Sequence, residues 1–209
     1  MNRTGISEGQ PEGQLHPVIW DAHQLIKLPD AMINGDVQTI PSPYGSALKF
    51  DGEGEGLILA INPIAGWTKF TIEVVFRPDR GGLSEQRFLH MGQCHGERML
   101  FETRIVQDEA WYLDTFLSST AGSCTLMNKG FHHALGEWFH TALTFDGSRL
   151  TNYVNGQSEL SEVIEFAPIQ GGGTSIGMRQ NKVSWYKGMI GTIRATPRCL
   201  DANEFLVLK

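Results

Sequence analysis

The sequence predicts an all-β domain, an antiparallel β-sandwich of the jelly-roll type, and three observations carry that prediction. Apolar residues come in short groups of period two, glycine is frequent at 24 of 209 residues, and tight-turn pairs close the apolar runs, Asp146-Gly147 and Asn155-Gly156 above all. Such a composition suits many short strands joined by glycine turns better than long helices. A chain of this length is expected to hold one domain with a sizeable core, over residues 18–209.

Residues 1–17, rich in Gly, Glu, Gln and Ser, are expected to form a flexible arm. Residues 46–60 read as strand, turn, strand. Residues 69–79 set Phe70, Ile72, Val74 and Phe76 on one face and Thr71, Glu73 and Val75 on the other, the mark of a half-buried strand. Residues 98–105 and 110–117 alternate in the same way, and 137–146 and 149–157 follow. Asp-Gly and Asn-Gly tolerate the positive φ of tight hairpins, so successive runs are expected to pair as antiparallel hairpins. Gly171 to Gly173 and Gly188 punctuate the last strands, and only the tail from Leu200 reads as a helical turn, with Asp201 as its N-cap.

Charge excludes some partners. Lys and Arg number 17 against 23 Asp and Glu, a net charge of −6 without a basic run, which argues against a nucleic-acid backbone as ligand. The apolar stretches, such as Leu57 to Ile61, fall far below the ~20 residues a membrane-spanning helix needs. The N-terminus lacks the apolar core of a secretory signal, so the chain is expected to be cytoplasmic as it stands, or extracellular if it is the mature or excised part of a precursor. Cys94, Cys124 and Cys199 are too scattered for a disulfide framework and read as packed or partly exposed thiols, with one bridge left open.

The order of motifs, SALKFDGEGEGLILA, FTIEVVFRPD, EWFHTALTFDGSRLTNYVNGQ, GGTSIGM and KGMIGTIRATPRCLDANEF, resembles the concanavalin A-like lectin/glucanase superfamily, specifically its laminin-G-like domains, from Ser46 to Phe205. The most specific part is the series Trp138, His140, Asp146-Gly147, Tyr153 and Asn155-Gly156. The resemblance implies two stacked antiparallel sheets, with ligands taken on the concave sheet or at loops along one rim. It leaves function open, because the fold hosts lectins, hydrolases, lyases and adhesion domains.

The family's hydrolases place paired carboxylates on one strand in an E-x-D-x-x-E motif, and that motif is absent; Asp108, Glu109 and Asp114 have the wrong spacing. In RMLFETRI, alternation puts Arg98, Leu100, Glu102 and Arg104 on one face, two guanidiniums flanking a carboxylate. Tyr112, Asp114 and Phe116 form the complementary set on the next strand, and His140 is expected to join them. Such a face grips a hydroxyl-rich or acidic sugar, or forms a solvated cross-strand ion-pair ladder. It loosely resembles the Arg-Glu-Arg strand of jelly-roll polysaccharide lyases, whose Gln-x-His strand and Tyr-rich C-terminal strand are not found. In Trp111-Tyr112 and Trp185-Tyr186 one ring of each pair should face away from the core, and Trp185, in a loop, is a candidate for stacking on sugar. Trp67 and Trp138 read as packing. The resemblance also raises a Ca²⁺ site; Asp51, Glu53 and Glu55 are the candidate ligands, and an ordinary polar turn is the alternative.

Three functions follow: a non-catalytic carbohydrate-binding domain, a jelly-roll polysaccharide lyase or glycoside hydrolase, and a structural or adhesion domain with a protein partner.

Overall fold

The computed structural model describes residues 16–208, so the arm expected at residues 1–17 lies outside it apart from His16 and Pro17. The described strands are β1 (Val18–Trp20), β2 (Met32–Asn34), β3 (Gln38–Ser42), β4 (Gly45–Asp51), β5 (Gly56–Leu59), β6 (Phe70–Pro78), β7 (Glu85–Gly92) and β8 (Arg98–Val106). They continue with β9 (Ala110–Ser118), β10 (Ser123–Met127), β11 (His133–Ala134), β12 (Phe139–Phe145), β13 (Arg149–Val154), β14 (Gln157–Val163), β15 (Gly173–Ile176) and β16 (Lys187–Thr196). Among the described residues helix is limited to one turn, α1 (Ala22–Leu25), and a 3₁₀ turn at Ala202–Glu204.

The strands form two antiparallel sheets, the β-sandwich the sequence predicts. The first runs β14-β13-β12-β6-β16-β4-β3 with β1 on β16, and the second runs β10-β9-β8-β7-β15-β5-β2 with β11 on β9. Their inner faces close over aromatic rings: Phe76 of the first sheet stacks on Phe88 of the second at 4.4 Å, and Trp111 meets Phe76 edge-on at 5.2 Å. Trp67 is buried, and Trp138 packs edge-on against Tyr44 at 5.7 Å.

The Asn155-Gly156 pair joins β13 to β14 with φ of 49° and 77°, both left-handed, as a type I′ turn requires. At the β12–β13 turn, Asp146 Oδ1 accepts the amides of Ser148 and Arg149 at 2.9 and 2.8 Å.

Two expectations need correction. Residues 46–60 do form strand, turn, strand, but β4 and β5 belong to different sheets and do not pair. The segment is a corner, where Asp51 Oδ1 accepts the amides of Glu53, Gly54 and Glu55 at 2.8, 3.0 and 3.1 Å. Nor is β6 half-buried: Thr71, Glu73 and Val75 are buried as fully as its core face. The C-terminal segment returns over them. Thr71 Oγ1 donates to the Arg198 carbonyl at 2.9 Å and accepts the Leu200 amide at 2.8 Å, while Leu200 and Phe205 pack on Ala142 and Tyr153. Within that segment Glu204 Oε2 accepts the Asp201 amide at 3.0 Å, securing the predicted turn.

Candidate functional site

Alternation along β8 turns Met99, Phe101 and Thr103 into the core and sets Arg98, Leu100, Glu102 and Arg104 on the outward face of the second sheet. Strand register then fixes their neighbours. Glu102 lies opposite Asp114 on one side and Arg87 on the other, Arg104 opposite Tyr112 and Glu85, and Leu100 opposite Phe116 and His90. Arg98, Leu100, Glu102, Arg104, Asp114 and Phe116, with Arg87 and Thr125, line a shallow hollow of about 180 Å³.

Charges in the hollow are interlocked. Arg87 Nε donates to Glu102 Oε1 at 2.9 Å and its Nη2 meets Glu85 at 2.6 Å. Arg104 Nη2 bridges Asp114 at 2.7 Å and Glu102 Oε2 at 3.2 Å, and its Nη1 reaches Glu85. The Ser184 hydroxyl accepts from Arg87, and the Ser184 carbonyl accepts the Arg87 amide at 2.9 Å. Glu102 and Asp114 are each only 2% exposed, so this is a largely buried network and not the solvated ladder that was the alternative.

Burial, reinforced by the carboxylates of Asp114 and Glu85, pushes Glu102 up to about 7 against the pull of Arg87 and Arg104. Burial raises Asp114 as well, despite its bonds to Arg104, and Asp114 Oδ1 has no hydrogen-bond partner among the described residues. For Glu85 burial acts upward too, but Arg87 and Arg104 outweigh it and hold the carboxyl below its usual range.

The structure thus brings together Arg98, Glu102, Arg104 and Asp114. Tyr112 shares their face, one row beyond the hollow, with its side chain buried. His140 does not join them. It lies on β12 in the first sheet, where its Nε2 meets the fully buried Glu73 at 3.1 Å beneath the C-terminal segment. The sequence order that seemed to make β12 the next strand hides its pairing with β6, far upstream. Trp185 sits half-buried in the loop of residues 177–186 and does not line the hollow, while Tyr186 fills the core.

Arg87 and Glu85 are new members. Their strand reads poorly because a bulge between Arg87 and Leu89 breaks the period-two pattern, so that Phe88 and Leu89 are both buried. Outward placement of Glu85 and Arg87, two apart before the apolar run FLHM, was the available signal.

Asp51, Glu53 and Glu55 lie together on the β4–β5 turn. Asp51 Oδ1 is occupied by three backbone amides, and among the described residues no three His, Cys, Asp or Glu side chains group as a metal site. Cys94, Cys124 and Cys199 are free thiols. No helix among the described residues is long and apolar enough to cross a membrane.

Comparison with solved structures shows the fold in distant company. Domain 4 of AbnA, a GH43 extracellular arabinanase from Geobacillus stearothermophilus, in complex with arabinotriose, is 16% identical with a TM-score of 0.61, over 90% of this chain and 85% of that one. A native heptameric SAP-like pentraxin from Limulus polyphemus is 15% identical at TM-score 0.61, over 78% of this chain and 81% of that one. The botulinum neurotoxin serotype G binding domain is 13% identical at TM-score 0.63, over 83% of this chain but 44% of that one. No curated protein matches the chain. A family model matches residues 51–205, most of the chain, and by that match the chain belongs to the concanavalin A-like lectin/glucanases superfamily, in its laminin-G branch.

Proposed function

We propose that the chain is a non-catalytic carbohydrate-binding domain whose sugar surface is the outward face of the second sheet. The observation that carries this reading is the hollow itself: an apolar floor of Leu100 and Phe116 beside carboxylates and guanidiniums. A sugar ring offers the matching pair of surfaces, apolar C–H faces and a rim of hydroxyls. The carboxylate of Asp114, which lines the hollow, is the acceptor for a hydroxyl.

Binding is favoured over hydrolysis because both oxygens of Glu102 are committed to arginines, Oε1 to Arg87 and Oε2 to Arg104. A glycosidase needs two carboxyls free to meet the glycosidic oxygen and the anomeric carbon. The arabinotriose complex of the Geobacillus domain lends the reading support by fold likeness alone.

A glycan array of the purified protein tests it, with Phe116→Ala and Asp114→Asn alongside. Selective binding by the parent, weakened about tenfold or more in both variants, is the expected result. Silence of the folded parent on every glycan would end the reading, and binding unchanged in both variants would move the site elsewhere.

A further inference from the structure

Two arginines, Arg98 in the lining of the hollow and Arg179 near it, lack the partners that the others have. Arg98 opens β8, and Arg179 lies in the loop of residues 177–186 between β15 and β16. Arg98 Nη1 donates to the Gly96 carbonyl at 2.6 Å and Arg179 Nη2 to the Cys94 carbonyl at 3.4 Å. Both guanidiniums therefore converge on one short loop, Gln93 to Glu97, which the Gln93 amide closes on the Glu97 carbonyl at 2.8 Å. Gln180, next to Arg179, fastens its own loop there by donating to the Gly92 and Gly173 carbonyls, both at 3.0 Å.

No carboxylate neutralises either guanidinium among the described residues. The nearby acids have other partners: Glu102 holds Arg87 and Arg104, and Glu97 Oε2 accepts the Gln170 amide at 3.0 Å. The Nε–H of Arg98 and the Nε–H of Arg179 are both buried without an acceptor. Burial first, then the positive charges of Arg179 and Arg87, hold the Arg98 guanidinium below the usual arginine value.

Unsatisfied buried donors and adjacent like charges are each destabilising, and their coincidence calls for an anion. The guanidinium fork suits a planar carboxylate or a sulfate, and a small swing of these flexible side chains presents Nε–H and Nη–H together. Arg98 also lies over the Phe116 ring, 4.8 Å from its centroid, so the charged edge adjoins the apolar floor.

We propose that Arg98 and Arg179 form an anion subsite that takes the carboxylate or sulfate of an acidic glycan whose ring lies over Leu100 and Phe116. This specificity rests on the carbohydrate reading, whereas the anion subsite itself does not.

The test uses matched pairs of oligosaccharides, uronate-containing against carboxyl-reduced and sulfated against desulfated, together with a titration of inorganic sulfate followed by thermal melting. The charged member of a pair should bind about tenfold tighter at low ionic strength, with the advantage shrinking as salt is added. Arg179→Gln should abolish the advantage while leaving neutral affinity in place, Arg98→Gln should abolish it with some loss of neutral affinity because Arg98 also lines the hollow, and Arg179→Lys should retain part of it. Circular dichroism confirms that each variant is folded. Equal binding of charged and neutral twins would overturn the subsite and leave the carbohydrate reading standing, as would an advantage that survives both Gln variants. No glycan binding, but melting raised by sulfate in the parent and not in Arg179→Gln, would uphold the subsite and remove the glycan. Indifference to sulfate and glycans alike overturns both.

Discussion

Each sheet carries a carboxylate held by arginine on its outward face, and the two are treated differently. On the first sheet Glu73 accepts from His140 at 3.1 Å, from Arg194, and from the Leu206 amide at 2.7 Å, with the C-terminal segment laid across it. On the second, Glu102 is held by Arg87 and Arg104 and lines a hollow. Titration follows this difference. Burial acts upward on both groups, but the donors around Glu73, one of them a backbone amide, bring it below the ordinary carboxylate value. Glu102 shares its arginines with two other acids and is left near 7. A carboxylate with donors of its own becomes structure, while one that must share them stays responsive to what comes near.

The sharpest way to break the comparison is Glu73→Ala. It leaves Arg194 and His140 facing one another beneath a segment that has lost its amide acceptor, and should lower stability by about 3–5 kcal/mol, read from urea unfolding. Ligand binding on the opposite sheet should survive in whatever fraction stays folded. A loss under about 1 kcal/mol would mean that Glu73 does not hold the closed face together.

Titrating stability separates the faces next. Glu102 has a folded pKa above its unfolded one, so its contribution is complete below the unfolded pKa and is lost as pH rises through about 7. Glu73 and Glu85 have the opposite sign, contributing above their unfolded pKa and losing it as pH falls through the depressed folded values. Burial holds His90 at about 4, so its contribution, present above its unfolded pKa, is lost as pH falls toward that value and offsets the Glu102 gain; the parent should change by less than about 1 kcal/mol between about pH 8 and pH 5, then lose stability in stronger acid. Glu102→Gln removes the offsetting gain and should lose about 2 kcal/mol between the same two pH values, with the fall in stronger acid unchanged. If that variant tracked the parent down to about pH 5, Glu102 would not be the source of the offset.

The smallest effect concerns Asp51, at the corner where the chain passes from one sheet to the other. Asp51→Ala removes the acceptor of three amides on an exposed turn and should lower stability by about 1 kcal/mol. Millimolar Ca²⁺ or a chelator should leave the melting temperature of the parent unchanged. A calcium-dependent rise that vanishes in Asp51→Ala would make the turn an ion site.

How much of this was legible depended on range. Period-two alternation in residues 98–105 and 110–117 gave the correct outward set because each strand settles its faces locally. Asp146-Gly147 and Asn155-Gly156 announced their hairpins for the same reason. Pairings between distant segments were hidden: nothing near Glu73 signals that residues 198–206 will cover it, and nothing near His140 says that its strand joins β6. Arg87 and Glu85 escaped because one extra residue at the bulge shifts the pattern halfway along β7. Arg179 carries no sequence signal at all, since it comes beside Arg98 from an irregular loop in which Lys182 at φ 59° and Ser184 at 54° are left-handed.

The β13–β14 tip has a bearing on how the protein ages. Asn-Gly is the dipeptide in which the asparagine amide is most easily attacked by the following backbone nitrogen to give a succinimide and then isoaspartate. Here Asn155 is fixed from both sides, its Oδ1 accepting the His140 amide at 2.9 Å and its own amide donating to the His140 carbonyl at 2.8 Å. Ring closure requires that side chain to let go. Deamidation at Asn155 is thereby tied to opening of the hairpin, and its slow accumulation in a stored sample is a clock for local unfolding.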